Sequence, residues 1–211
     1  MLSLSCIICF LVNILKPWCT HKNGILKLQS LSDEKLMKKY AEGHATAFDI
    51  LYTRHRAPVF RYLLRHMGNQ NASVEELYQD VWASIIKNRH SYVESAKFTT
   101  YIYKIAHHKM VDYFRRSSVR QEFQNESVDD DQTEEFIEPQ QQIHWKNCIE
   151  QLLGLVKNLP VEQREAFILR HEGNNNIDAI AEITGVNPQT AKSRLRYAMQ
   201  KLRDSLSDDC L

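Results

Sequence analysis

Glycine and proline are scarce in this 211-residue sequence, at six and five residues. Nowhere does a Val/Ile/Thr-rich run alternate with period two. The two absences together argue against a sheet protein and favour an all-α one. Cysteine is present but lacks the spacing of a disulfide framework: Cys6, Cys9, Cys19, Cys148 and Cys210 are odd in number, and a reduced, cytoplasmic protein is expected. Cys6 and Cys9 could be drawn with Cys19 and His21 as a zinc set, but a lone CxxC is a weak signal and no metal is expected. No apolar run reaches the roughly 20 residues that span a bilayer. The longest, MLSLSCIICFLVNIL at residues 1–15, has its positive charge (Lys16) after it, unlike a signal peptide. A start placed too far upstream is the favoured reading of this apolar extension, residues 1–31. A membrane-surface anchor and a helix buried on the body are the others. An ordinary acidic helix start, SDEKLM, follows at Ser32. No nucleophile–base pair and no Gly-rich phosphate loop is present, so neither catalysis nor a cofactor is expected.

Net charge is also nearly absent, at +1, but its distribution is uneven. Residues 44–116 carry eleven Lys/Arg against six Asp/Glu, and residues 144–203 carry nine against six. Between them, residues 117–143 hold Arg120 against eight acids. Two basic blocks are joined by an acidic stretch too polar to pack by itself, which reads as a flexible linker, the rival reading being a mimic of a nucleic-acid strand that occupies a basic channel. Its attraction for the basic blocks is expected to favour a compact form of the free protein.

The second basic block contains NPQTAKSRLRYAMQKLR, with five cations and no acid between Asn187 and Arg203. Asn187 is a good N-cap and Pro188 suits the first helical position. Ala191, Leu195, Ala198 and Leu202 form one apolar stripe. The opposite face and its borders carry Gln189, Thr190, Lys192, Ser193, Arg196, Tyr197 and Gln200, side chains that bond base edges and phosphates. A shorter helix, IDAIAEIT, precedes it, with Asn176 as cap, Ile177, Ile180 and Ala181 facing inward, and Gly185 in the connecting turn. This pattern is a helix-turn-helix with a basic second helix. Upstream, LPVEQREAFILR predicts a helix burying Ala166, Phe167 and Leu169.

LPxxQRExFxLR, IAEITGV and TAKSRLRYAMQKLR in this order resemble the promoter −35 domain of bacterial sigma factors, and most of all the extracytoplasmic-function (ECF) group. The resemblance adds Arg194 to the −35 set. The chain departs from the group at Asn175, Ala179 and Ala191, where Leu, Glu and Val are usual. The first basic block resembles the same family independently. SVEELYQDVWASIIKN, with Ser73 and Glu76 as a capping box, Leu77, Val81 and Ile85 inward and Trp82 a further candidate for that inner face, is similar to the helix that docks on the polymerase β′ coiled coil. By that resemblance Glu75, Glu76, Gln79, Asp80 and Trp82 are the core-binding candidates. FTTYIYKIAHHKMVDYFRR has Phe98, Ile102, Ile105 and Phe114 at inward spacing, with a basic, aromatic-bordered outer surface suited to unstacked bases. It resembles the −10-reading helix, with Tyr101 and His108 in place of the usual Trp and Asn. This resemblance implies −10 contacts at Thr100, Tyr101, Lys104, His107, His108, Lys109, Arg115 and Arg116. In the preceding loop it implies base capture by Arg89, His90, Tyr92 and Lys97.

The expected architecture is all-α, with two small helical domains joined by a flexible acidic linker. A sigma region 2-like domain spans 32–116, the linker 117–143, a region 4-like helix-turn-helix domain 144–205 and a tail 206–211. The resemblance implies a cytoplasmic sigma factor, monomeric when free. Its partners would be core RNA polymerase (β′ coiled coil and β flap), promoter DNA and an anti-sigma factor. A conventional helix-turn-helix regulator that does not replace sigma is the alternative.

Overall fold

Ser32 caps helix α1, Asp33–Ala41, its hydroxyl accepting from the Lys35 amide. The computed structural model describes residues 28–68, 71–93, 97–121, 140–207 and 210. Among them the regular elements are all helical. After α1 come α2 (Ala45–Met67), α3 (Asn71–Lys87), a 3-10 turn (Arg89–Ser91) and α4 (Phe98–Gln121). Then follow α5 (Gln140–Lys157), α6 (Val161–Glu172), α7 (Ile177–Thr184) and α8 (Pro188–Ser205). The apolar N-terminal run with Cys6, Cys9, Cys19 and His21, and most of the acidic linker, lie outside the described residues. No helix among the described residues is long and apolar enough to cross a membrane.

The chain divides into two compact units. Among the described residues, the smaller takes those up to His55 and those within Asn88–Phe98, and the larger takes those within Arg56–Lys87 and from Thr99 onward. In the smaller unit Leu36, Met37, Ala47, Leu51 and Phe98 are buried. Asp33 accepts from Arg54 at 2.6 Å and lies 2.7 Å from His55 Nε2. Burial works against its charge, but the His55 and Arg54 contacts outweigh that and hold the carboxyl below its usual range. Glu34 Oε1 accepts from the Phe98 amide at 3.2 Å, which fixes the end of the 88–98 segment.

In the larger unit the inward residues recur at helical spacing. Val59, Tyr62, Leu63 and Met67 come from α2, Val74, Leu77, Val81 and Ile85 from α3, and Ile102, Tyr103, Ala106 and Met110 from α4. Helix α6 buries Glu165 through Leu169 in one run, more than the Ala166, Phe167 and Leu169 expected.

Four expectations are corrected. Helix α3 begins at Asn71, so Ser73 is not its cap; the Ser73 hydroxyl instead accepts from Tyr113 Oη at 2.9 Å. Phe114 does not point inward and is 41% exposed, because the core ends one turn earlier at Met110. The cysteines are not all reduced: Cys148 and Cys210 form a disulfide, their Cα atoms 5.6 Å apart, within the range a bridge requires. Helix α4 also runs on to Gln121, into the stretch read as linker.

Gly173, after α6, sits against Tyr103. A Cβ at this position would lie 2.7 Å from Tyr103 Cε2, and Asn175 blocks the other side. Both neighbours are buried and cannot swing away. Gly173→Ala is therefore expected to cost about 1–3 kcal/mol by overpacking, read as a lowered melting temperature. Gly154→Ala, inside α5 with open space around it, should instead stabilise by roughly 0.5–1 kcal/mol.

Candidate nucleic-acid interface

Three local devices build the helix pair α7–α8. Asn176 Oδ1 accepts from the Ala179 amide at 2.8 Å and Asn187 Oδ1 from the Thr190 amide at 2.8 Å. Gly185 between them adopts φ +68°, a left-handed conformation open to glycine at no steric cost. Ala179, Ile180, Ala181 and Ile183 of α7 and Ala191, Ala198 and Leu202 of α8 are buried. Gln189, Lys192, Arg196, Tyr197 and Gln200 are exposed, while Thr190, Ser193 and Arg194 are half-buried at the borders. The Arg196 guanidinium lies 4.9 Å from the Tyr197 ring centroid, a cation–π contact that limits the wandering of both side chains. Gln200 donates to both Asp204 oxygens, at 2.8 and 3.1 Å. That acid lies just beyond the all-basic stretch, and it ties down one side chain of the expected face.

In the smaller unit, Arg89, His90, Tyr92 and Val93 close a cavity of about 350 Å3 with Met37, Lys38 and Ala41 of α1. This is within the range of small-ligand pockets, about 300–1,000 Å3. Arg89 lies 6.0 Å from the Tyr40 ring centroid, and Tyr92 packs edge-on to Phe98 at 6.1 Å. Three of the four loop candidates thus share one cavity. Lys97 is exposed and does not line it.

On the larger unit, Glu75, Glu76, Gln79 and Asp80 are exposed along α3. Trp82 is not on that face: it is 5% exposed, in the stripe with Val81 and Ile85, and is corrected to a core residue. Thr100 on α4 is likewise buried at 5% and cannot contact DNA there. His108, Arg115 and Arg116 are exposed, and Tyr101, Lys104, His107 and Lys109 partly so. Several carry partners: Lys109 Nζ lies 3.5 Å from Asp80, Arg115 3.2 Å from Asp112, and Lys104 3.2 Å from Glu182 of α7.

His107 departs most from an open basic surface. Its Nδ1 lies 3.1 Å from Glu165 Oε1 on α6. The same carboxylate accepts from Tyr62 Oη at 2.6 Å and lies 2.9 Å from His66 Nε2. Alongside, Glu172 of α6 pairs with Arg61 at 2.7 Å and Arg65 at 2.9 Å. Burial opposes the Glu165 charge, but the bonds and charges of His107 and His66 outweigh it and hold the carboxyl well below its usual range. Burial also raises the Tyr62 phenol, reinforced by the adjacent carboxylate. Sequence reasoning missed this cluster, although a signal existed. Glu165 and Glu172 stand i, i+7 with Ile168 and Leu169 between, so both acids fall on the apolar stripe of α6.

A family model described as Sigma-70 region 2 matches residues 51–120, and one described as Sigma-70, region 4 matches residues 149–202. Together they take in more than half of the chain. The chain is 28% identical over 163 residues to the RNA polymerase sigma factor SigV of Bacillus subtilis, covering 75% of this chain and 90% of that protein. It is 26% identical over 172 residues to the RNA polymerase sigma factor CarQ of Myxococcus xanthus, covering 82% and 96%. In fold it is similar to CnrH solved in complex with the cytosolic domain of CnrY (TM-score 0.58, 19% identity, 82% and 95% covered). It is also similar to the sigma factor RpoE of Bartonella quintana solved with the anti-sigma factor NepR (TM-score 0.60, 18% identity, 77% and 98% covered).

The lowered Glu165 pKa fixes the sign of a pH effect. A carboxyl depressed in the folded state adds stability that is fully present above its unfolded value and is lost as pH falls towards the folded value. The stability advantage of the wild type over Glu165→Gln should therefore shrink as pH drops below about 5. Denaturant melts of both proteins between neutral and acid pH measure it; a gap that widens on acidification contradicts the assignment.

Proposed function

The chain belongs to the sigma-70 family, in its ECF group, and is a sigma factor of transcription initiation; on that premise we propose how its surfaces divide the work. Helix α8 enters the −35 major groove, and the observation that carries this reading is its geometry. A capped, two-helix unit buries one face of α8 and leaves Gln189, Lys192, Arg196 and Tyr197 exposed on the other. A helix so presented fits the major groove, and these side chains match base edges and phosphates. Thr190, Ser193, Arg194 and Gln200 complete the interface at its borders.

The −10 element is read separately. The cavity closed by Arg89, His90 and Tyr92 takes an unstacked base. Its aromatic and cationic walls suit a flipped nucleotide, and the released stacking is replaced by contact with Tyr92. Tyr101, Lys104, His107, His108, Lys109, Arg115 and Arg116 of α4 follow the strand, with Lys97 at the loop's edge. Capture of the base offsets the cost of unpairing, so the melted strand is stabilised without any covalent chemistry. The sigma-70 family is not a catalytic enzyme class, and no such step is needed.

The outward face of α3, with Glu75, Glu76, Gln79 and Asp80, engages the β′ coiled coil of core polymerase, and the helix-turn-helix unit engages the β flap. An anti-sigma factor holds the protein in reserve in the cytoplasm, as the neighbours solved with CnrY and NepR suggest by their own complexes.

Transcription in vitro by core polymerase plus this protein tests the whole reading: run-off product from a matching promoter is expected only when both are present. Arg196→Ala should weaken −35-dependent initiation by about 1–3 kcal/mol, one base-edge contact. A promoter series with unchanged −35 preference would remove Arg196 from the interface.

Asp80→Lys should weaken association with core, measured by co-elution, while the thermal melt stays near wild type. Among the described residues its ion partner is Lys109 at 3.5 Å, both half-exposed, and such a pair contributes about 0–1 kcal/mol. Unchanged co-elution would show the face to be merely solvated.

A further inference from the structure

We propose that Cys148 and Cys210 are a redox modification site: oxidation of this thiol pair fastens helix α5 to the end of α8, and reduction releases it. The structure holds the oxidised state. A factor that works with RNA polymerase shares the compartment of the cell's thiol pools. A disulfide formed there is ordinarily transient or redox-sensing, not a permanent staple. The proposal does not depend on which DNA element α8 reads.

Without the bridge, the attachment of α5 is thin. Helices α6, α7 and α8 pack on one another, whereas α5 reaches them mainly through α8. Among the side chains described on α5, Cys148 and Val156 are the buried ones, and Trp145 and Ile149 near Cys148 are exposed. The chain after α8 turns back onto this helix. Leu206 is extended, the Ser207 hydroxyl donates to Gln151 Oε1 at 3.0 Å, and the Cys210 amide donates to the Ser207 carbonyl at 2.9 Å. Cys148 and Gln151 stand i, i+3 on one face of α5, so the hydrogen bond and the bridge act at the same place. The buried residues of α6, α7 and α8 include neither cysteine, and those helices keep their packing in both redox states.

Burial orders the exchange, because Cys148 is buried and Cys210 only half-buried. The oxidant is a low-molecular-weight disulfide, such as oxidised glutathione. The Cys210 thiolate attacks one of its sulfurs and expels one small thiol. The Cys148 thiolate then attacks the Cys210 sulfur of the mixed disulfide and expels the second. Two protein thiols lose two electrons, the small disulfide becomes two thiols, and the cysteine protons end on these. Reduced glutathione reverses both steps. A bridge between residues 62 apart restricts the unfolded chain as well as fastening α5, and both effects favour the oxidised fold.

The test uses the full chain carrying Cys6→Ser, Cys9→Ser and Cys19→Ser, which leaves this pair alone. The protein is equilibrated in mixtures of reduced and oxidised glutathione, alkylated and weighed by mass spectrometry. Two thiols should close together as the mixture becomes oxidising, and both should return when reduced glutathione is in excess. The oxidised form should melt about 5–15 °C above the reduced form. Amide exchange in residues 145–157 should be slower in the oxidised form. Adding Cys210→Ser should give the reduced form's melt and exchange in every mixture, which separates the bridge from any other effect of the oxidant. The proposal is overturned if the pair stays open in oxidised glutathione, or if the bridge withstands excess reduced glutathione. It is equally overturned if the two forms melt and exchange alike.

Discussion

A carboxylate taken out of water persists only where bonds and opposite charge replace its hydration. Glu165 has both: a phenol, two imidazoles and a place on a helix whose neighbouring residues are buried on all sides. Removing one partner of such a group is costly because the others remain buried and unmatched. The placement of α6 therefore rests on this side chain together with the buried Ala166, Phe167, Ile168 and Leu169. The caps at Asn176 and Asn187 and the Gly185 turn then carry that orientation forward to α7 and α8. The exposed side chains of α8 are aimed by these local devices together with the buried face of the helix.

The helices were legible because their causes are local. A cap, an apolar spacing and a left-handed glycine act within a few residues, and Asn187, Pro188 and Gly185 announce α8 and its turn directly. The outward polar face of α3 and the exposed face of α8 were legible for the same reason, since a single amphipathic helix separates its own sides. The resemblance to the ECF group supplied the role proposed for each face.

What escaped reading is nonlocal. Periodicity gives α4 an inner and an outer side but cannot say that α6 covers part of the outer one, so His107 was read as open when it bonds a residue 58 positions away. Trp82 and Thr100 stand at stripe borders, where only the packed neighbours decide the side. The Cys148–Cys210 bridge joins residues 62 apart in sequence, and an odd cysteine count hid it. Phe114 shows the reverse error: its spacing continues the inner stripe past the point where anything remains to pack against it.

The contacts fall into two energetic classes, and the division has a consequence for how DNA engages the chain. Lys104–Glu182, Lys109–Asp80 and Arg115–Asp112 are solvated pairs with both members substantially exposed. Pairs of that kind contribute about 0–1 kcal/mol and are screened by salt. Phosphates can replace such acids directly, since each phosphate contact releases counterions from the strand. Glu165 is different. Its pairing with His66 and His107 is shielded from solvent, so neither salt nor an approaching strand competes for it at the surface. Promoter DNA alone can thus exchange with the outer pairs while the buried one holds. The bond between His107 and Glu165 therefore persists at ionic strengths that dissolve the outer pairs, and α6 keeps its hold on α2 and α4 where the exposed ion pairs are lost.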